Sequence, residues 1–128
     1  MINQMTDTLA VSARYSDSDL DEFRAVIEKK LSRARDDRDF YLDAIAEMAD
    51  GPETKVKGLD DGTNSSEVER LNTLAARQQK LIRHLESALI RIENKVYGVC
   101  RETGELIEKK RLLAVPHATL SVAAKLAR

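Results

Sequence analysis

The 128-residue chain reads as a mostly α protein, a long antiparallel two-helix coiled-coil hairpin followed by a small C-terminal subdomain. Three observations predict this. Charged residues make up 34% of the chain and aromatics only 4%, too few for a dense, rounded core. Gly and Pro are scarce while Ala, Leu, Glu, Lys and Arg dominate, which is the composition of long packed helices. Two stretches carry apolar residues at alternating steps of three and four, and a short polar segment separates them.

Residues 1–14 are polar and aperiodic and read as a flexible arm. The run Ser16-Asp17-Ser18-Asp19 offers oxygen acceptors and negative charge to the unpaired N–H groups of a helix start, so a first helix is expected over 16–50. Its seam is Phe23, Ile27, Leu31, Ala34, Tyr41, Ala44, Ile45 and Met48, interrupted once by Asp37 and Arg38. Gly51-Pro52 ends it, because Pro cannot continue the backbone ladder. Residues 51–65 are turn chemistry and form the hairpin tip. The spacings Asn64 to Glu67 and Ser66 to Glu69 match a capping box, placing a second helix at 66–97. Its seam is Leu71, Leu74 or Ala75, Gln78, Leu81 or Ile82, Leu85, Ala88 or Leu89, Ile92 and Val96. Residues 15–97 thus form the hairpin. A loop this short favours antiparallel neighbours within one chain, and the Gly-Pro break disfavours the competing intermolecular coiled coil, so a monomer is expected.

Residues 98–128 change texture. Gly98 to Ile107 reads as two short extended pieces around a Gly-containing turn, Lys109 to Val115 as one or two helical turns ended by Pro116, and Thr119 to Leu126 as a short helix capped by Thr119 or Ser121. Val99, Leu106, Ile107, Leu112, Leu113, Val115, Leu120 and Val122 are the apolar residues available for its core.

Composition also excludes. A net charge of −1 supplies no broad basic surface for non-specific DNA binding, so sequence-specific DNA recognition is not expected. No stretch approaches the roughly 20 apolar residues of a membrane span, and no basic-then-apolar leader opens the chain. Cys100 stands alone, so no internal disulfide forms; the cytoplasm is the expected compartment. His84 and His117 lie in unrelated contexts without a nucleophile or a Gly-rich phosphate loop nearby, and no enzyme is expected.

The second helix and the C-terminal segment carry a resemblance. Arg77 with Lys80-Leu81-Ile82, Leu85, Leu89, Ile92-Glu93, Tyr97-Gly98, Cys100, Gly104, Ile107, Arg111-Leu112, Ala114, Pro116-His117-Ala118 and Leu120 together resemble the DksA/TraR family of bacterial transcription regulators. The first helix and tip resemble it in architecture only. The resemblance implies that residues 98–128 form a zinc-finger-like subdomain. Family members commonly hold zinc with CxxC, about 17 intervening residues and a second CxxC, four thiolates closing a tetrahedral shell. Here Cys100 keeps the first position, but Thr103, Ser121 and Ala124 occupy the others, and His117 lies outside them. One thiolate is not a site, so a degenerate finger without zinc or other cofactor is expected, with Cys100 a small buried residue.

The resemblance further implies RNA polymerase as partner, with the hairpin tip in its secondary channel modulating initiation. Gap-free counting back from Cys100 puts Asp60 where the family places a functional tip aspartate, with Asp61 beside it. The segment Gly58-Leu59-Asp60-Asp61-Gly62-Thr63 keeps the acid of the family's DxxDxA pattern but lacks its first Asp and its Ala. Read from residue chemistry alone, both aspartates are ordinary solvated turn residues. Relatives also respond to guanosine tetraphosphate, for which Arg77, Lys80, Arg83 and Lys125 are the candidate cations, while His84 replaces a common lysine. Lys109-Lys110-Arg111 is a further basic cluster for docking on polymerase. The competing function is a non-catalytic helical adaptor or oligomerising coiled coil with another partner.

Overall fold

The computed structural model describes residues 14–50 and 61–127, with the side chains of 50 and 61–64 left aside. It contains four helices among the described residues: α1 (Asp17–Asp50), α2 (Asp61–Glu93), α3 (Lys109–Ala114) and α4 (Val122–Leu126). There is no strand among them, only one antiparallel bridge between Val99 and Leu106. The two long helices pair antiparallel, as the seams require. Residues 31–83 make one compact unit, and the rest of the described chain makes another.

The start of α1 is as read. Ser16 Oγ accepts the Asp19 N–H at 3.1 Å, and Asp17 and Asp19 put charge in the first turn. The start of α2 is not. It begins at Asp61 rather than near 66, and Glu67 holds Arg70 with two bonds of 2.6 and 3.1 Å. Once Leu71 and Ala75 are buried and the helix is nucleated, each preceding residue adds one backbone bond at little cost. Residues 61–65 of the expected tip 51–65 are therefore helical, and residues 51–60, including Asp60, lie outside the described residues.

The far end of α2 also differs from expectation. Lys95 N–H bonds Ile92 O and Val96 N–H bonds Arg91 O, both at 3.0 Å, with Lys95 at φ 63°. This is a Schellman stop, the left-handed residue being Lys where Gly is usual. The helix ends at Glu93, and Val96, expected in the seam, is half exposed.

In the unit of residues 31–83, Leu31 and Ala34 of α1 are buried with Leu71, Ala75 and Ile82 of α2. Tyr41, Ala44, Ile45 and Met48 are only half-buried. The polar interruption is bridged across the pair: Arg38 donates to Gln79 Oε1 at 3.1 Å while holding Asp39 at 3.0 Å.

The other unit buries Leu20, Phe23 and Ile27 of α1 with Leu85, Ala88 and Ile92 of α2 and with the C-terminal segment. Phe23 sits between Tyr15 and Tyr97, ring centroids 5.1 and 5.2 Å away, and each such buried side chain contributes about 1.5–3 kcal/mol through removal from water. Tyr97 is fully buried and donates its hydroxyl to Pro116 O at 2.7 Å. The C-terminal core is narrower than the sequence suggested. Ile107 and Leu112 are fully buried, but Leu106, Leu113 and Val122 are exposed, their places taken by Tyr97, Cys100, Ala118 and Ala124.

Candidate functional site: a basic groove on the finger

The C-terminal segment folds as a finger of two linked turns. In the first, Cys100 N–H bonds Glu105 O at 2.7 Å, Gly104 N–H bonds Cys100 O at 2.8 Å, and Ile107 N–H bonds Gly98 O at 2.7 Å. Gly104 at φ +74° supplies the left-handed residue this turn needs. In the second, Ser121 caps α4, its Oγ accepting the Ala124 N–H at 3.1 Å. Ser121, not Thr119, is therefore the cap.

Between the end of α2, this finger and α3 lies an open groove of about 590 Å³, lined by His84, Ser87, Arg91, Arg101, Arg111, Val115, His117, Ala118, Thr119, Leu120 and Lys125. Four of these are Arg or Lys, two are imidazoles, and none is a carboxylate. In a chain of net charge −1, that is a local concentration of positive potential. His84, Ser87 and Arg91 reach it together because steps of three and four repeat on one helix face. Arg91 is anchored by His117 O at 3.4 Å and Arg111 by Leu120 O at 3.0 Å, so both cations are held rather than free to swing. Burial pushes the Arg91 pKa down from its ordinary value.

The two histidines stack, ring centroids 5.2 Å apart and planes 30° from parallel. His117 Nδ1 is buried without a hydrogen-bond partner. Burial first, then the neighbouring His84 and Arg91, lower the His117 pKa below its ordinary 6.5. Such an array offers charge-assisted hydrogen bonds to an anion with several oxygens.

The cations named from sequence have separate fates. Lys125 and Arg111 line the groove. Arg77, Lys80 and Arg83 stand exposed on α2 in the unit of residues 31–83 and are not among its lining residues. Lys109 is drawn to Glu22 at 2.9 Å and Asp19 at 3.6 Å, and lies 6.0 Å from the Phe23 ring centroid, while Lys110 is exposed. The run 109–111 is thus not one patch: neighbours on a helix point about 100° apart. Asp61 opens α2. Arg91 and Arg101 were missed by sequence reasoning. The spacing of His84, Ser87 and Arg91 could have flagged the first, and nothing local flags the second.

Three comparisons bear on this geometry. Residues 95–126 match the family model described as "Prokaryotic dksA/traR C4-type zinc finger". The chain is 49% identical over 63 residues to "RNA polymerase-binding transcription factor DksA" of two Caulobacter vibrioides strains, covering 48% of this chain and 44% of the relative. It is 27% identical over 99 residues to "General stress protein 16O" of Bacillus subtilis, 77% of this chain and 60% of that one. The solved structure of transcription factor DksA2 from Pseudomonas aeruginosa superposes with a TM-score of 0.79 at 25% identity, over 86% of this chain and 82% of that one. The finger, residues 95–126, is that of the DksA/TraR family. The matched stretch nevertheless spans less than half the length of the Caulobacter relative.

The DksA/TraR finger implies a zinc ion, and the donors at its four positions do not fit one. Cys100 is the only thiol in the chain, Thr103 and Ser121 carry hydroxyls, and Ala124 has no donor. Among the described residues no group of three His, Cys, Asp or Glu converges as a metal shell. Cys100 is 1% exposed, yet its pKa falls to about 6, chiefly because the Thr103 hydroxyl and then the Ser121 N–H bond its sulfur. It is buried, as expected, but polarised rather than simply apolar. Among the described residues no helix is long and apolar enough to cross a membrane.

Proposed function

We propose that this protein is a non-catalytic, monomeric regulator of transcription that binds RNA polymerase. Its hairpin tip enters the secondary channel and modulates initiation through Asp60 and Asp61. The observation that carries the reading is the likeness to a solved transcription factor of the family, which takes in the helical pair and the finger together. The physical role of the tip is electrostatic: a carboxylate carried on a long helical pair perturbs charged groups at close range without doing chemistry itself.

The basic groove supplies a second element of the proposal. Arg91, Arg101, Arg111 and Lys125 suit a polyphosphate nucleotide such as guanosine tetraphosphate, completed by polymerase in the complex. Lys110 on α3, with Arg77, Lys80 and Arg83 on α2, is left for contacts to the enzyme's surface.

The test is binding of the purified protein to bacterial core RNA polymerase, with wild type and the Asp60→Asn/Asp61→Asn variant compared in an initiation assay. The reading expects both to bind and only wild type to alter initiation. A helical adaptor is the second reading, favoured by Phe40, which is 68% exposed on α1. It predicts no polymerase binding and a partner lost on Phe40→Ser.

A further inference from the structure

The zinc finger of the family is a cross-link: four thiolates on one ion join two turns that ordinary packing would leave loosely tied. Here the same four positions do something else. Cys100 Sγ accepts the Ser121 N–H at 3.4 Å, and the Thr103 hydroxyl lies near enough to the same sulfur to be the first cause of its lowered pKa. Thr103 Oγ1 in turn accepts the Glu105 N–H at 3.2 Å, closing its own turn. Ser121 Oγ accepts the Ala124 N–H, and the Ala124 methyl is buried at 5% exposure. Every former ligand position is thus linked to another former ligand position.

The strand of chain between the two turns is strapped in a second way. Its carbonyls are taken one after another by side chains and backbone from elsewhere in the same unit: Pro116 by the Tyr97 hydroxyl, His117 by Arg91, Thr119 by the Arg101 N–H at 3.0 Å, and Leu120 by Arg111. Loop carbonyls without partners are costly when shielded from water, so these bonds specify one path for the segment. Beneath them Tyr97, Ile107 and Leu112 are each 0% exposed.

We propose that the four ligand positions have become a hydrogen-bonded clasp, Thr103 to Cys100 to Ser121 to Ala124, which with the strapped carbonyls holds the finger fold in place of the metal. The protein is then a metal-independent member of a family whose finger is described by its zinc ligands. This goes beyond the proposed role at RNA polymerase and stands or falls without it.

The experiment uses the full chain purified from zinc-supplemented culture. Zinc per chain is measured by elemental analysis, and thermal unfolding is followed with and without a strong chelator. The expected result is zinc far below one ion per chain and the same Tm in both conditions; stoichiometric zinc, or a Tm lowered by the chelator, overturns the proposal. The Thr103→Val/Ser121→Ala variant removes two links and should lower Tm, whereas an unchanged Tm would show that the clasp holds nothing. The Thr103→Cys/Ser121→Cys/Ala124→Cys variant, retaining Cys100, should take up one zinc and become chelator-sensitive. Failure to bind zinc would show that these positions do not converge as a rewired ligand set.

Discussion

Gly98 lies directly under the ring of Tyr15: a Cβ on residue 98 would stand 2.6 Å from Tyr15 Cδ2 and 2.7 Å from Cε2. Tyr15 cannot give way cheaply, because its hydroxyl donates to Ile107 O and its ring meets Phe23 edge-on. Gly98 also has φ +79°, a conformation that L side chains avoid. Gly98→Ala should therefore lose about 2–4 kcal/mol, strain and overpacking together. Gly104 is the internal control. It shares the positive φ, at +74°, but a Cβ there meets nothing within 4 Å. Gly104→Ala should lose only about 1 kcal/mol. Urea denaturation of both variants checks the difference, and equal losses would mean that the Tyr15 contact is unimportant.

Lys95 is a left-handed residue of the opposite kind, non-glycine where glycine is preferred. Its ammonium bridges Asp17 Oδ1 at 2.8 Å, and that pair lowers the Asp17 pKa through the hydrogen bond and the charge of Lys95. Both partners are well exposed, so the bridge is screened by water and salt. Relief of backbone strain should win. Lys95→Gly is expected to raise stability by about 1 kcal/mol, read as a higher urea midpoint with unchanged slope. A lower midpoint would mean that the bridge to Asp17 outweighs the strain.

The legible part of this protein is what repeats. Ser16 announces α1 because a cap is a local bond, and the seams Phe23-Ile27-Leu31-Ala34 and Leu71 to Ile92 announce the pairing because burial follows helical period. The choices left open resolve to the residues facing the partner helix: Ala75, Ile82 and Ala88. What the sequence hides is long-range. Tyr97 joins the cluster of Tyr15 and Phe23 from beyond the far end of the second helix, so no window contains the whole pattern. Val96 fits the period yet falls beyond a helix stop built on a lysine, which carries no glycine signal. The groove is hidden for the same reason: Arg91, Arg101, Arg111 and Lys125 come from four separate segments, and each alone is an ordinary surface cation.

His117 makes the stability of the fold pH-dependent. Its folded pKa is depressed below 6.5 by burial and by the nearby His84 and Arg91, so the fold favours the neutral ring. Its contribution is fully present above pH 6.5 and is lost as pH falls through the lower folded value, because the unfolded chain takes up the proton first. Thermal unfolding should show a falling Tm between neutral and mildly acidic pH, and His117→Gln should flatten that part of the profile. A wild-type Tm that stays level across this range would remove His117 from the account.

An anion in the groove should reverse that sensitivity. Bound negative charge favours the imidazolium that burial otherwise resists, so binding and protonation help each other. Inorganic pyrophosphate, titrated calorimetrically against the full chain, is expected to bind more tightly as pH falls below 6.5, with proton uptake. Arg101→Ala and Lys125→Ala should each weaken it about tenfold, the cost of one charge-assisted contact. Lys109→Ala should leave it unchanged, since that ammonium faces Glu22 and Asp19 rather than the groove. Arg91 and Arg111 are poorer choices for the same test. Each also ties down a loop carbonyl, so their removal would mix lost binding with a loosened finger. Equal weakening by Lys109→Ala would mean that the anion senses net charge alone and that the groove is not a site.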